Sequence, residues 1–284
     1  MGAVHKVPLM DVQRLQQHGT HLTTREQTAS QRKIVHRPVE SFDLEWFADR
    51  YLPVRESANY RQRRNFIGML WMSKLGKLRA YESLVERAVL LELDRDPNVR
   101  RVWSQPFRVD GLDPNRGDRY VWPTPDLLIE HHDSSLEVAE VKPSNRIVHP
   151  NIDDFTHDYA SYDKARSSWQ RLQHKMEFLE TQLAPLSMTV TLRCEPSATV
   201  RQNLEYLSLY RRPLPKHDPL PERVMEHAGD RPFELMDLAE GVDGFVSTMP
   251  VILHLVWHRR LEMDLDQRIG PDTVVRAPSM AVAA

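Results

Sequence analysis

Residues 122–144 read WPTPDLLIEHHDSSLEVAEVKPS, and the fold turns on this stretch. Asp126 opens a short apolar run of Leu127, Leu128 and Ile129. Residues 131–135 make a polar turn. Residues 136–142 return as a second strand, which Pro143 stops because proline has no N–H to give to a ladder. The two runs read as a β-hairpin. Side chains alternate along a strand, so Val138, Glu140 and Lys142 share one face, while Glu137, Ala139 and Val141 share the other. Glu140 and Lys142 then lie opposite Asp126, at the mouth of the paired strand. Such an acid–acid–amine cluster suits metal-assisted hydrolysis of a phosphodiester. A hard cation such as Mg²⁺, or Mn²⁺ in its place, takes oxygen ligands. The carboxylates of Asp126 and Glu140 and the backbone carbonyl of Val141 would supply them. Lys142 beside the ion would orient or deprotonate the attacking water and offset charge building on phosphorus.

A Pro-Asp pair and a Glu-x-Lys each arise often by chance. Here the order and spacing agree with one site. The strand is otherwise apolar, so a charged pair on it needs a reason. A helix carrying an acid, Glu86, lies upstream. On three runs, YESLVERAVLLELDRDPNVRRVWSQPFRV (81–109), YVWPTPDLLIE (120–130) and EVAEVKPS (137–144), the sequence resembles the TnsA family. Its members are the endonuclease subunits of heteromeric transposases in transposon-seven-like elements. The resemblance is strong over residues 66–143 and weak elsewhere. Its pieces are specific in combination: Ser-x-x-Glu, Gln-Pro-Phe, Thr-Pro-Asp and Glu-Val-Lys-Pro-Ser.

The resemblance implies a PD-(D/E)-x-K nuclease fold. It implies Glu86, Asp126 and Lys142 as the catalytic set, with Glu140 as the acid before the lysine. Glu86 would complete the metal shell or orient a second metal. Some relatives carry Gln where this chain has Glu140, so a true acid there favours metal binding. Read from the residues alone, Glu82 and Glu86 are surface acids or partners of Arg79 and Arg87. The resemblance selects Glu86 and leaves Glu82 as the alternative. It further implies double-stranded DNA at transposon ends as substrate, cut on the 5′ strand. A TnsB-like, DDE-type transposase would cut and join the other strand, and a TnsC-like AAA+ ATPase would regulate both.

The chain has 284 residues, 40% of them hydrophobic, which is room for two domains with packed cores. No apolar run approaches the roughly 20 residues of a membrane-spanning helix. The N-terminus lacks an apolar signal core. The single cysteine, Cys194, excludes disulfide frameworks and cysteine-based zinc sites. The expected setting is the bacterial cytoplasm, at the nucleoid during transposition. A net charge of −2 is not that of a protein that coats nucleic acid by bulk charge, so DNA must be met through local patches or a partner.

The expected fold class is α/β, a restriction-endonuclease-like αβββαβ core followed by a small helical, winged-helix-like C-terminal domain. Residues 1–40 are polar without sustained periodicity and read as a flexible arm. The nuclease domain spans 41–194, the C-terminal domain 195–276, and 277–284 is a tail. Within the first domain, 66–71 reads as a strand, 79–93 as a helix, 99–109 as a strand and 110–119 as a loop. Residues 159–183 form a long amphipathic helix before a β-rich run at 186–194.

Arg55, Arg61, Arg63, Arg64, Lys74, Lys77 and Arg79 are the densest basic stretch. They are either phosphate contacts or a solvated face. Lys164 and Arg171 carry the same two readings. Gln105 either touches a sugar–phosphate backbone or satisfies a backbone group. His149, Asp153, Asp154, His157 and Asp158 follow no metal-ligand spacing.

After 195 the order is helix, proline-rich link, short helix at 232–240, glycine turn, helix from Ser247 with Pro250 in its first turn, and hairpin. That is a winged helix-turn-helix order. Its apolar second helix, with His258, Arg259 and Arg260 beyond it, suits packing or protein docking better than reading a groove. Target choice is therefore expected from the partners. Two other functions fit the same residues: a stand-alone restriction- or repair-type nuclease, and a non-catalytic DNA-binding assembly subunit whose cluster is a surface ion network.

Overall fold

The computed structural model describes residues 9–10, 12–29, 31–55, 66–155 and 158–278. It is mixed α/β, with antiparallel sheets and a helical C-terminal region. The chain forms two compact units. The first holds the described residues up to Leu70, with Leu78–Arg87 and Asn98–Glu195; the second holds Trp71–Lys77, Ala88–Pro97 and the described residues from Pro196 onward. No helix among the described residues is long and apolar enough to cross a membrane.

The first unit begins with α1 (Val12–His18), β1 (His21–Gln27), β2 (Arg32–Pro38), α2 (Leu44–Arg50) and β3 (Tyr51–Leu52). Strands β4 (Gly68–Met72) and β5 (Lys77–Tyr81) pair as a hairpin, and α3 (Leu84–Arg95) follows. Then come β6 (Val99–Ser104), β7 (Arg108–Asp113), β8 (Arg119–Val121), β9 (Leu127–His131), β10 (Leu136–Val141), α4 (Tyr159–Leu183) and β11 (Thr189–Arg193).

One sheet runs β2-β1-β7-β8, with β3 also on β1. The other runs β11-β10-β9-β6; β6, β9 and β10 are antiparallel, and β11 lies parallel to β10. A parallel return needs a crossover, and α4 supplies it. Asp158 caps that helix by accepting from the Ser161 N–H at 3.1 Å. Its stripe of Leu172, Met176, Leu179 and Leu183 is buried. The core of the unit draws on both sheets and α4, through Leu22, Phe47, Trp103, Phe107, Leu128, Val138, Phe178 and Leu179. Burying an aromatic or Leu side chain there contributes roughly 1.5–3 kcal/mol each.

Several expectations need correction. The stretch read as a flexible arm carries α1, β1 and β2 across residues 12–38, with Leu15 and Leu22 buried. It looked solvated because β1 buries polar groups: the Thr23 hydroxyl donates to Asp110 at 2.5 Å and the Thr24 hydroxyl to Glu26 at 2.7 Å. The helix read over 79–93 starts only at Leu84, since 77–81 is strand β5. The strand read over 99–109 is two strands in different sheets. The chain breaks between them at Gln105, which takes a left-handed φ of 49° ahead of Pro106. The loop read over 110–119 contains the end of β7 and the start of β8.

The second unit contains α5 (Ala198–Leu207), α6 (Leu220–Ala228), β12 (Phe233–Glu234), α7 (Leu235–Asp243), α8 (Phe245–Trp257), β13 (Glu262–Met263) and β14 (Val274–Arg276). Its sheet order is β12-β14-β13, all antiparallel. The helix expected over 232–240 is preceded by strand β12, and α8 opens at Phe245, which puts Pro250 inside the helix rather than in its first turn. From Thr248 onward α8 is buried apart from Pro250 and His254, and the indole N–H of Trp257 donates to Ser73 Oγ at 3.1 Å. Ser73 in turn donates to the Asp94 carboxylate at 2.9 Å.

Candidate functional site

Strand β10 lies between β9 and β11, so Val138, Ala139, Glu140 and Val141 are all buried. The ladder with β9 pairs Ala139 with Leu127. Asp126 therefore stands just beyond the end of the ladder, at the level of Glu140. Its backbone is held at both ends: its N–H donates to Ala139 O at 3.1 Å, and its carbonyl accepts from the Gln105 N–H at 2.7 Å. Its side chain is tied too, since Oδ2 accepts from the Val141 N–H at 2.8 Å. Gln105 thus supports Asp126 through its main chain.

The ammonium of Lys142 gathers three oxygens from this corner. It donates to Glu140 Oε1 at 2.5 Å, to Val141 O at 2.9 Å and to Asp126 Oδ2 at 3.3 Å. Burial opposes its charge, but Asp126 and Glu140 outweigh that, so Lys142 titrates above an ordinary lysine. The second oxygen of Glu140 accepts from Lys175, on α4, which also donates to Thr124 O at 3.0 Å. Arg55 lies 3.9 Å from Asp126 Oδ1 and pairs with Glu82 at 2.8 Å.

Asp126, Glu140, Lys142 and the carbonyl of Val141 thus meet at one point. Glu86 stands beside them with a different occupation. Ser83 caps α3 by accepting from the Glu86 N–H at 3.1 Å, and the Glu86 carboxylate accepts from the Ser83 hydroxyl at 3.2 Å and the Glu82 N–H at 2.8 Å. The Ser-x-x-Glu motif is therefore a helix cap here, whatever else it does. Burial raises the Glu86 pKa to about 7, and the nearby charge of Asp126 adds to the shift. Glu86 belongs to the electrostatic neighbourhood of the acids without touching the point where Lys142 sits.

Among the described residues, no three His, Cys, Asp or Glu side chains form a group that could hold a metal ion. The corner instead offers two carboxylates and one carbonyl. That all-oxygen set suits a small hard cation, and the Lys142 ammonium stands where such a cation would be held.

The basic stretch divides. Arg79 is buried, donating Nε to Val102 O, with its guanidinium over the ring of Tyr51. Lys74 donates to Asp96 O, and burial lowers its pKa to about 8. Both serve packing, which corrects the phosphate-contact reading for them. Arg61, Arg63 and Arg64 lie outside the described residues. In the loop after β10, His149 packs edge-on to Trp169 and Asp158 is the cap of α4, while His157 lies outside the described residues.

Reading the sequence missed Lys175. Its signal was present: a lysine set among Leu172, Met176 and Leu179 on the apolar stripe of α4, where a cation needs a partner. Compared with known proteins, the chain matches no family model and no curated sequence.

Proposed function

We propose that this chain is a metal-dependent DNA endonuclease, the strand-cutting subunit of a transposase. The observation that carries this reading is the single point at which Lys142 touches Asp126, Glu140 and the Val141 carbonyl. The order α3, β6, β9, β10, α4, β11 around it, with β7 and β8 as an excursion into the other sheet, supports a restriction-endonuclease-like αβββαβ core. In the second unit, the order α6, β12, α7, α8, β13, β14 with sheet order β12-β14-β13 supports a winged-helix reading. Its apolar α8 favours protein docking over groove reading.

Asp126 Oδ2, Glu140 Oε1 and Val141 O would hold Mg²⁺ or Mn²⁺. When bound, the ion supplies Lewis-acid polarisation of a phosphate and an acidified water. Lys142 would then leave the oxygens it now occupies and stay beside them to orient the attacking water and offset charge on the phosphate. Lys175 would hold the far oxygen of Glu140 and keep that carboxylate oriented. Glu86, with burial raising its pKa to about 7, is about half protonated near neutrality and would give up that proton once the local charge turns positive. The substrate in this reading is double-stranded DNA at transposon ends, cut on the 5′ strand in the bacterial cytoplasm. A TnsB-like transposase and a TnsC-like AAA+ ATPase are the partners and supply target choice.

Strand cutting by the assembly reconstituted with such partners tests this. Asp126→Ala should lower it roughly a hundredfold or more. Cutting that survives the substitution would make the cluster a structural ion network and the chain an assembly subunit. Cutting by the purified chain alone, without partners, would make it a stand-alone nuclease.

A further inference from the structure

A cavity of ≈ 380 Å³ opens on the first unit beside the acid corner, and Lys175 lines it. Its wall carries an aromatic pair, Tyr120 and Trp122, with ring centroids 4.9 Å apart. Tyr120 is anchored: its hydroxyl donates to the buried carboxylate of Asp110 at 2.5 Å and accepts from the Met10 N–H at 3.1 Å. Trp122 leans on that anchored ring and is still 47% exposed. An indole packed at a 41° tilt against an anchored ring, and about half exposed, offers a stacking surface.

The rim is cationic. Arg116 comes from the turn before β8 and Arg119 opens that strand, and Arg171 stands one helical turn before Lys175 on α4. All three arginines are exposed, and none forms an ion pair with a described residue. The one acid in the lining, Asp113, is buried and caps the following turn by accepting from the Asn115 N–H at 3.1 Å. Three guanidinium groups that form no ion pair with a described residue, around an exposed indole, match a ligand with an aromatic ring and phosphates on either side of it.

We infer that this cavity binds an unpaired nucleotide of a DNA strand, its base stacked on Trp122 and its flanking phosphates on Arg116, Arg119 and Arg171. A base inside a duplex is covered on both faces and cannot use such a platform; an unstacked one can. Lys175 places the cavity next to the acid pair, since the same side chain lines it and contacts Glu140. The strand so held runs past Asp126 and Glu140. This inference rests on the nuclease reading for its choice of DNA, and it identifies where the strand beside the cut is gripped.

The test uses the full chain with Ca²⁺ in place of Mg²⁺, so that DNA stays uncut. A duplex with a short single-stranded overhang carrying 2-aminopurine is titrated, and affinity and base fluorescence are read together. The overhang duplex should bind more tightly than a blunt one, with the fluorescence quenched. Trp122→Ala should weaken binding roughly tenfold and remove the quench, and Trp122→Phe should keep both. Arg119→Glu should weaken binding about tenfold and flatten its salt dependence.

Equal binding by Trp122→Ala and the parent chain would overturn the inference. So would displacement of the overhang by free dAMP at equal nucleotide concentration, which would make this a mononucleotide pocket. Loss of partner assembly in Trp122→Ala with DNA binding intact would make it a protein-docking face and overturn it too. Mn²⁺ binding on the same samples separates the two readings. Trp122-dependent stacking without Mn²⁺ binding removes the nuclease and keeps the pocket. Mn²⁺ binding lost in Asp126→Ala, with no effect of Trp122, does the reverse.

Discussion

The two faces of strand β10 each bury an acid, and they neutralise it in opposite ways. On one face, Glu137 accepts from Arg193 Nε at 2.6 Å and from its Nη2 at 2.7 Å, from the Thr191 hydroxyl at 2.5 Å and stands 3.1 Å from His131. Burial pushes Glu137 up, but the bonds from Arg193 and Thr191 outweigh it and leave its pKa below the ordinary value. On the other face, Glu140 is held by two lysines, Lys142 and Lys175. A guanidinium fork matches both oxygens of a carboxylate and stays, whereas an ammonium on a flexible stem is a point charge that another cation can replace. A buried acid is therefore not a site by itself. What marks Glu140 is that its counter-charges are movable and share their contacts with Asp126 and a backbone carbonyl.

The sharpest way to break this comparison is to remove the movable cation. Lys142→Met should abolish strand cutting, by roughly a hundredfold or more, while Mn²⁺ binding followed by calorimetry becomes tighter, because the three oxygens lose their competitor. Weaker Mn²⁺ binding in this variant would show that Lys142 organises the oxygens rather than competing for them. On the opposite face, Arg193→Ala should leave Mn²⁺ affinity unchanged and lower stability by about 3 kcal/mol in a urea titration, because it strands Glu137 without its partner. A change confined to Mn²⁺ affinity would erase the distinction between the faces.

The smallest effect lies in pH. Glu86 has its pKa raised to about 7 from an ordinary 4.5. Below that ordinary value it is protonated folded or unfolded. As pH rises towards 7 the unfolded chain ionises first, so stability falls and then levels off. Glu137, with its pKa lowered, has the opposite sign: its stabilisation is present above the ordinary value and fades as pH falls. In metal-free buffer, Glu86→Gln should gain on the parent chain between pH 5 and pH 8 by on the order of 1 kcal/mol, since Gln keeps the cap of α3. Glu137→Gln should be less stable than the parent chain above pH 4.5, and the gap should narrow as pH falls below that value. Parallel thermal melts of the two variants across pH would show it, and slopes of the same sign would contradict the assignment.

What could be read in the sequence follows from how each element is stabilised. The β9–β10 hairpin showed itself by alternation and by Pro143, and α4 by its apolar stripe, so local pattern and fold agree there. β1 could not be read in the same way. His21, Thr23, Thr24 and Glu26 are buried among polar partners: Thr23 bonds Asp110 and His36, Thr24 bonds Glu26, Glu26 faces Arg37, and His21 bonds Gly19 O; a buried polar strand looks like a solvated one until its partners are known. β5 was absorbed into the helix reading because buried Arg79 interrupts no helical stripe. Of the candidate site, Asp126, Glu140 and Lys142 come from one hairpin and were legible together. Lys175 reaches Glu140 across 35 residues, and no local pattern encodes that contact.

Asp126 enters any encounter already immobile, since its N–H, its carbonyl and one carboxylate oxygen are all tied to the main chain. Its disorder was given up during folding, so nothing more is lost there when a cation arrives. Lys142 is the restrained part that exchange would set loose, and a freed lysine stem regains rotamer freedom worth up to roughly 2 kcal/mol. Cation uptake at this corner would thus be an exchange in which the rigid partner stays still and the flexible one recovers its motion.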